Sequence, residues 1–498
     1  MKKLNQSLKM KTKTIFILLA VVLVGCMPQA KYSPESFKEP DKFRIAETNL
    51  AEEERIFEGD SLVHTIDSTQ LAWRNFFKDE QLISLINEGL KHNFDIRMAM
   101  KRMEMYQLQF KQSKLELLPS VNAVIANPNY QFRSQDFHSS ANDKWYGDET
   151  PPEDMFLYRA QHLSGLVFNW EIDIWGKIRS QKEESLFEYL ATVEAKNAIQ
   201  TQLVADIASG YYNLLSLYAQ LDVAQSNYEL SQRTLRMVKL QFESGNTTAL
   251  AKQQTKSLML ATKSLIPRLK QKISRQENLL QLLTGKTVGE IVLSSSNFED
   301  NYKDIATNYT IPLEMVSYRP DVRRAEHNLW AANANVGVTQ TMQYPRLAID
   351  LGIGVNAVLP TNWFNIPGAL FGSIIGNLTQ PIFNKKRLKT KFETAKLNRE
   401  IKEIEFQKTV YQSINEISNL LTLMNALDEQ IAIAEEQVEN SELTISQSNL
   451  LFNSGYATYL EVINAQKVAL DSEIQLSELK EERLQLRVML YKALGGGW

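Results

Sequence analysis

The sequence predicts a mainly α-helical chain with four strands, in which long coiled-coil hairpins adjoin a membrane β-barrel pooled between copies. Three observations predict it. Glycine and proline are sparse, 20 and 14 among 498 residues, which suits long helices better than a loop-rich fold. The helical segments occur twice, at a constant spacing. Strand-like segments precede each long helix, and one chain holds too few of them to close a barrel.

The N-terminus carries a basic start (Lys2, Lys3, Lys9, Lys11, Lys13) and one apolar stretch, Ile15 to Val24. Ten residues are too few for a spanning helix, which needs ~20, so residues 1–25 read as a signal peptide. The single cysteine, Cys26, follows directly in Leu23-Val24-Gly25-Cys26. That tail resembles the lipobox of bacterial lipoproteins, which implies cleavage before Cys26 and lipidation of it. A lone cysteine excludes an intrachain disulfide and a cysteine metal cluster. The formal charge of −3 gives no basic excess for nucleic acid. Residues 26–79 form an expected N-terminal arm, extended on the body or a disordered tether. From Pro28 to Thr69 it has no helical period.

Beyond the arm the chain is written twice. Gly245 in QFESGNTTAL and Gly455 in LFNSGYATYL are 210 residues apart, as are Phe242 and Phe452, and Gly285 and Gly495. An earlier pair, Asn93–Ala99 (NFDIRMA) and Arg319–Ala325 (RPDVRRA), is offset by 226, a spacing that Pro119 and Pro345 keep. An offset of 226 against 210 leaves 16 extra residues in the first half, and the polar stretch Ser134–Asp154 is their natural place. The expected domains are a first repeat over 80–285, a linker over 286–318 and a second repeat over 319–498.

Each repeat has one order. A helix comes first (Glu80–Leu118, Arg323–Gln343) and proline ends it. Strand-like segments follow, VNAVIANPNYQF with LSGLVFNWEIDI, and LAIDLGIGVNAVL with LFGSIIGNLTQPIF. Then come a very long helix (Ile178–Glu243, Leu388–Asn453), a glycine turn and a return helix (Thr248–Leu283, Thr458–Ala493). Pro267 is expected to kink or break its helix. At ~1.5 Å per residue a helix of about 65 residues spans ~100 Å, so it must bury an apolar stripe against neighbours. Each long helix with its return helix makes a coiled-coil hairpin. Lipid tolerates only helices or closed barrels, and bacterial single-chain barrels begin at about eight strands. Four strands per chain therefore predict pooling, and a trimer gives a 12-stranded ring most simply. A soluble sheet capping a helical rod is the other reading of the strands.

Several motifs now stand in order: FNWEIDIWGKIRS (Phe168–Ser180), YRPDVRRAEHNLWAANANVGV (Tyr318–Val338), TQPIFN (Thr379–Asn384), the ending ALGGGW (Ala493–Trp498) and the two glycine tips. With the lipobox they resemble the TolC-like outer-membrane factor family, in its lipoprotein branch. The resemblance implies a homotrimer with a 12-stranded barrel in the outer membrane and a helical tunnel through the periplasm. It implies docking to a periplasmic adaptor and, through it, to an inner-membrane transporter of the resistance-nodulation-division type. It further implies an exit channel that passes drugs or other toxic compounds, without cofactors and without catalysis. No Walker A sequence is present.

The resemblance also places the site residues. The tips Gly245, Asn246, Thr247 and Gly455, Tyr456, Ala457 would face the adaptor, where glycine supplies the freedom for a tight turn. Glu461 matches a position where acids ring the periplasmic gate, and a ring of like charges favours cations. A second family acid falls at Asn464, uncharged here. Phe452 falls where the family can use an aromatic in gate contacts. Glu461 as an exposed helix acid, and the tips as turns only, are the plain alternatives. Met98, Met100, Met103 and Met105 lie on more than one helical face, so packing outweighs copper(I) binding. Asp95, Asp173 and Asp321 read as caps or ion-pair partners. A duct for metal ions or secreted protein, and a structural envelope lipoprotein without a pore, are the competing functions.

Overall fold

The computed structural model of the chain describes residues 73–133, 157–291, 298 and 313–496. Cys26, nearly all of the arm, the Ser134–Asp154 insertion and most of the 286–318 linker lie outside the described residues.

In chain order the elements are α1 (Trp73–Phe76), α2 (Glu80–His92), α3 (Phe94–Leu115), β1 (Ser120–Arg133), β2 (Leu157–Glu171), α4 (Lys177–Glu243) and α5 (Ala249–Leu283). Then follow α6 (Pro320–Thr341), β3 (Arg346–Ala357), β4 (Leu370–Thr379), α7 (Arg387–Asn453) and α8 (Tyr459–Ala493). Both long helices, α4 and α7, have 67 residues, and both return helices, α5 and α8, have 35. Two differences from expectation stand out. The first helix is divided at Asn93, whose Oδ1 accepts from the Asp95 and Ile96 backbone N–H groups (2.8 and 3.2 Å) and so starts α3 afresh. No break occurs at Pro267, and α5 runs through it. Buried Leu269 and Ile273 on the C-terminal side hold that stretch against the core, which outweighs the ~3 kcal/mol cost of an interior proline.

The described chain divides into two compact units. Of the described residues, one comprises those within 106–188 and 329–402, and the other those within 73–105, 189–328 and 403–496.

The first unit holds a four-stranded antiparallel sheet in the order β1-β2-β3-β4. Positions related by the two sequence offsets pair identically. Ser120 faces Asn169 and Val121 faces Phe168 in the first hairpin; Arg346 faces Thr379 and Leu347 faces Leu378 in the second. The match fails only past Val124, where a bulge shifts the first register. Strand alternation sorts the side chains into two faces. Val121, Ala123, Leu166 and Phe168 of the first hairpin share a face with Leu351, Ile353, Ile374 and Leu378 of the second. That face is apolar and uncovered, with Ile374 82% and Leu378 70% exposed. The opposite face is mixed: Asn122, Asn169, Asp350 and Asn377 lie there with Val124, Val167, Phe371 and Ile375.

In the second unit, Phe77, Ile207, Tyr211, Leu280, Leu484 and Tyr491 anchor one buried cluster. A second gathers Ile417, Leu427, Leu486 and Leu490 between α7 and α8. Each such side chain stabilises by about 1.5–3 kcal/mol relative to exposure. Buried Arg483 donates to both oxygens of Asp428 (2.5 and 3.2 Å), tying α8 to α7 by a two-pronged ion pair. The offsets hold here too. Asn93 Nδ2 donates to the Leu283 carbonyl (2.9 Å), and its counterpart Arg319 donates to the Ala493 carbonyl (2.5 Å). A Cβ on Gly285 would meet His92, and one on Gly495 would meet Tyr318 and Arg319, so in both places glycine permits the close approach.

Candidate functional site

The two hairpin tips are built alike. Gly245 and Gly455 both take φ +79°, the left-handed region that glycine enters without penalty. At each, two backbone bonds close the helix end: Asn246 N–H to Gln241 O (2.8 Å) with Gly245 N–H to Phe242 O (3.0 Å), and Tyr456 N–H to Leu451 O (2.9 Å) with Gly455 N–H to Phe452 O (3.2 Å). This is the Schellman arrangement. Thr248 and Thr458 then cap the return helices. Asn246 and Tyr456 are exposed, Tyr456 to 85%, while Thr247 and Ala457 are half-buried.

The expected gate residues occupy different settings. Glu461 is exposed and closes a capping box with Thr458: its carboxylate accepts from the Thr458 N–H (3.0 Å) and from the Thr458 hydroxyl. Those bonds, with that from its own N–H, hold its carboxyl below the usual carboxylate range. Asn464 is exposed one turn on. Both line a groove of about 460 Å³ with Leu258, Leu460, Ile463 and Lys467. Phe452 is 6% exposed and packs with Val238, Ala251 and Val462, so its ring holds the tips together from inside. Tyr459 hydroxyl donates to Gln254 (2.6 Å), joining α8 to α5 beside that cluster. Sequence reasoning passed over Thr458, Tyr459 and Lys467. The spacing Thr458-x-x-Glu461 is a capping-box signature that identifies the first.

The other residues singled out are placed as follows. Asp173 caps α4 by accepting from Ile178 and Arg179 N–H (2.9 and 3.0 Å). Asp321 binds Arg319 (2.9 Å). Burial acts to raise the Asp321 carboxyl, but the Arg319 contact and backbone N–H groups outweigh it and its pKa is lowered. Met98, Met100 and Met105 are exposed on α3, so they are not core residues.

On the mixed face of the sheet a hydrogen-bonded row crosses all four strands. Asn122 Nδ2 donates to Asn169 Oδ1 (3.3 Å), Asn169 Nδ2 to Asp350 Oδ1 (2.6 Å), and Asn377 Nδ2 to Asp350 Oδ2 (3.2 Å). Beside the row, Glu171 binds Lys177 and Arg346, each at 2.9 Å. A cavity of about 1160 Å³ borders these groups, with Trp175 and Tyr344 on its wall. The row escaped the sequence reading, although strand alternation puts Asp350 out of phase with its apolar neighbours Ile349 and Leu351. Among the described residues no helix is long and apolar enough to cross a membrane.

A family model described as outer membrane efflux protein matches residues 85–286 and 313–496. The cation efflux system protein CusC of Escherichia coli O6:H1 is 26% identical over 487 residues, covering 98% of this chain and 99% of the relative. The toluene efflux pump outer membrane protein TtgI of Pseudomonas putida is 27% identical over 425 residues, covering 85% and 87%. In fold, the open state of the Neisseria gonorrhoeae MtrE outer membrane channel aligns with 93% of this chain and 98% of that chain, at a TM-score of 0.76 and 23% identity. With both repeats matched by the family model, the chain belongs to the outer membrane efflux protein family.

Proposed function

We propose that three copies of this chain close one 12-stranded barrel in the outer membrane and form the exit duct of a tripartite pump for drugs or other toxic compounds. The observation that carries the reading is the sheet: one face mainly apolar and uncovered, the other mixed and carrying the Asn122, Asn169, Asp350 and Asn377 row, with β1 and β4 as open edges. Open edges in lipid leave backbone groups unpaired at several kcal/mol each, so the edges require partners. A cyclic ring of identical copies supplies them.

The internal repeat, read as a duplication, supplies the seam. Under the two offsets, β4 corresponds to β2 and β1 to β3. The β2–β3 pairing within the chain therefore serves as the template for β4 against β1 of the next copy. Trp170 opposite Ile349 translates to Gln380 opposite the next copy's Ala123. An exposed apolar stripe on α7, Leu397, Ile401, Ile404 and Tyr411, gives the helices a matching side for a neighbour.

The remaining assignments follow that reading. Cys26 carries the lipid that adds outer-membrane anchoring. The tips Gly245–Thr247 and Gly455–Ala457 meet a periplasmic adaptor, which links the duct to an inner-membrane transporter. Glu461 and Asn464 line the periplasmic gate, and Phe452 sets its stiffness from behind. The repeat limits, 80–285 and 319–498, are the units of duplication. A duct for metal cations is the second reading, supported by the similarity to a cation efflux relative.

Cysteine pairing tests the ring. The natural chain has one cysteine, Cys26, so Ala123→Cys with Gln380→Cys adds a defined pair. Directly opposed strand positions bring Cα atoms within about 4.5–5.5 Å, inside the roughly 4.4–6.8 Å that a disulfide spans. Oxidation of membranes should give a covalent trimer on a denaturing gel for the double variant and not for either single one. A double variant that stays monomeric rejects the seam. Sensitivity of a deletion strain to toluene and drugs, against metal cations such as copper, separates the two substrate readings.

A further inference from the structure

We propose that Asp350 sets the charge preference of the duct inside the barrel, as the carboxylate of a polar belt spanning all four strands. This rests on the barrel reading above, which turns the mixed face of the sheet toward the lumen. Both Asp350 oxygens accept from amides, Asn169 on one neighbouring strand and Asn377 on the other. Amides orient a carboxylate without cancelling its charge. Glu171, nearer the helices on the same face, is treated differently: Lys177 and Arg346 both bind it. Two cations therefore cancel the charge of Glu171, whereas no cation binds Asp350 among the ion pairs described.

Closing three copies therefore stacks two charged levels in the lumen. One level mixes charges, with Glu171 bound by Lys177 and Arg346 and with Glu116 and Asp173 bordering the same cavity, and the Asp350 belt beside it is net negative. Fixed charges around a narrow aqueous path concentrate counter-ions. The belt adds one carboxylate per chain to that aqueous path, so removing it shifts the preference of the barrel from cations toward anions. Asp350 is thus a specificity-determining residue in the barrel, separate from the Glu461 position at the hairpin tips.

The test is the reversal potential of the purified trimer in a planar bilayer under a potassium chloride gradient. Asp350→Asn should lower the K⁺/Cl⁻ permeability ratio about twofold or more at 0.1 M salt. Asn122→Asp, which adds a carboxylate to the belt without touching Asp350, should raise it. Both effects should grow at 0.01 M, where the screening length lengthens from about 10 to about 30 Å. Conducting channels with an unchanged ratio in both variants would overturn the assignment while leaving the barrel standing. No channels from a verified wild-type trimer would overturn the barrel reading and this proposal with it.

Discussion

Replacing Arg319 by methionine should loosen the C-terminal end of α8 far more than the rest of that helix. Arg319 is 7% exposed and donates to the Ala493 carbonyl (2.5 Å), to Asp321 (2.9 Å) and to Glu416 (2.8 Å). Methionine keeps the stem and removes every donor. A buried carbonyl left without a donor costs about 1–3 kcal/mol, and hydrogen bonds to charged groups contribute about 1.5–3 kcal/mol each. The two carboxylates are 38% and 39% exposed, so water replaces much of what they lose and their share must be discounted. A net cost of about 2–3 kcal/mol remains, close to a 30- to 150-fold rise in local opening at 1.36 kcal/mol per tenfold. Amide hydrogen exchange over Val488–Gly496 reads it directly. The sign with pH follows from Asp321. Its folded pKa is lowered, so its stabilising contribution is present above the unfolded carboxylate pKa and is lost as pH falls through the folded value. Arg319→Met should remove that acid-side loss together with the protection. A change below threefold over Val488–Gly496 would refute the idea that this guanidinium fastens the helix end.

Two further outcomes are expected at the tips. Gly455→Ala meets no atom within 4 Å of the new Cβ but keeps a φ of +79°, so only backbone strain of about 1–2 kcal/mol applies. Exchange in the last turn of α7 should quicken about five- to thirtyfold, and an unchanged rate would show that the turn relaxes freely. Glu461 has a lowered folded pKa, set first by the Thr458 hydrogen bond. Its capping contribution is therefore present above the ordinary carboxylate pKa and is lost as pH drops through the folded value. Glu461→Gln should flatten the pH dependence of protection at Leu460 and Glu461 and reduce cation selectivity if the residue lines the gate. Unchanged ion selectivity removes it from the entrance.

Much of the fold was legible because the repeat made each half a check on the other. The glycine at each tip marked the end of a long helix, and the proline after each first helix marked the start of a strand. Asn93 was harder to read. Its counterpart Arg319 sits before a proline that announces a helix start, whereas Asn93 stands inside a continuous helical pattern and acts only through its side-chain amide. The site was less legible than the fold. Glu461 could be placed by position, but its engagement with Thr458 depends on local cap geometry. The Phe452 ring turns inward because Val238 and Val462 leave an apolar slot for it, a tertiary fact with no signature in one helix. The Asp350 row joins residues 122, 169, 350 and 377, and only the registers of three strand pairs bring them together.

The two strand-to-helix joints show what the repeat leaves for another copy to supply. After β2, Asp173 caps α4 and Trp175 donates to the Pro345 carbonyl (2.7 Å) while its ring leans on Tyr344. The residues at the same offset after β4 are Phe383 and Lys385. Here Ile382 and Phe383 are 98% and 84% exposed, and Lys385 and Lys386 take φ values of 46° and 61°. Side chains rarely adopt that region without support from their surroundings. Tyr344 and Pro345 lead into the strand that pairs with β2. Their counterparts Leu118 and Pro119 lead into β1, which under the proposed seam belongs to the next copy, and Leu118 is itself 61% exposed. Under the proposed seam, the uncovered apolar pair beyond β4 and the uncovered leucine before β1 are the two halves of a joint that the end of β2 and the residues before β3 complete within one chain. The proposed ring would cover both at once, which accounts for an exposed protomer edge that has the composition of an interior contact.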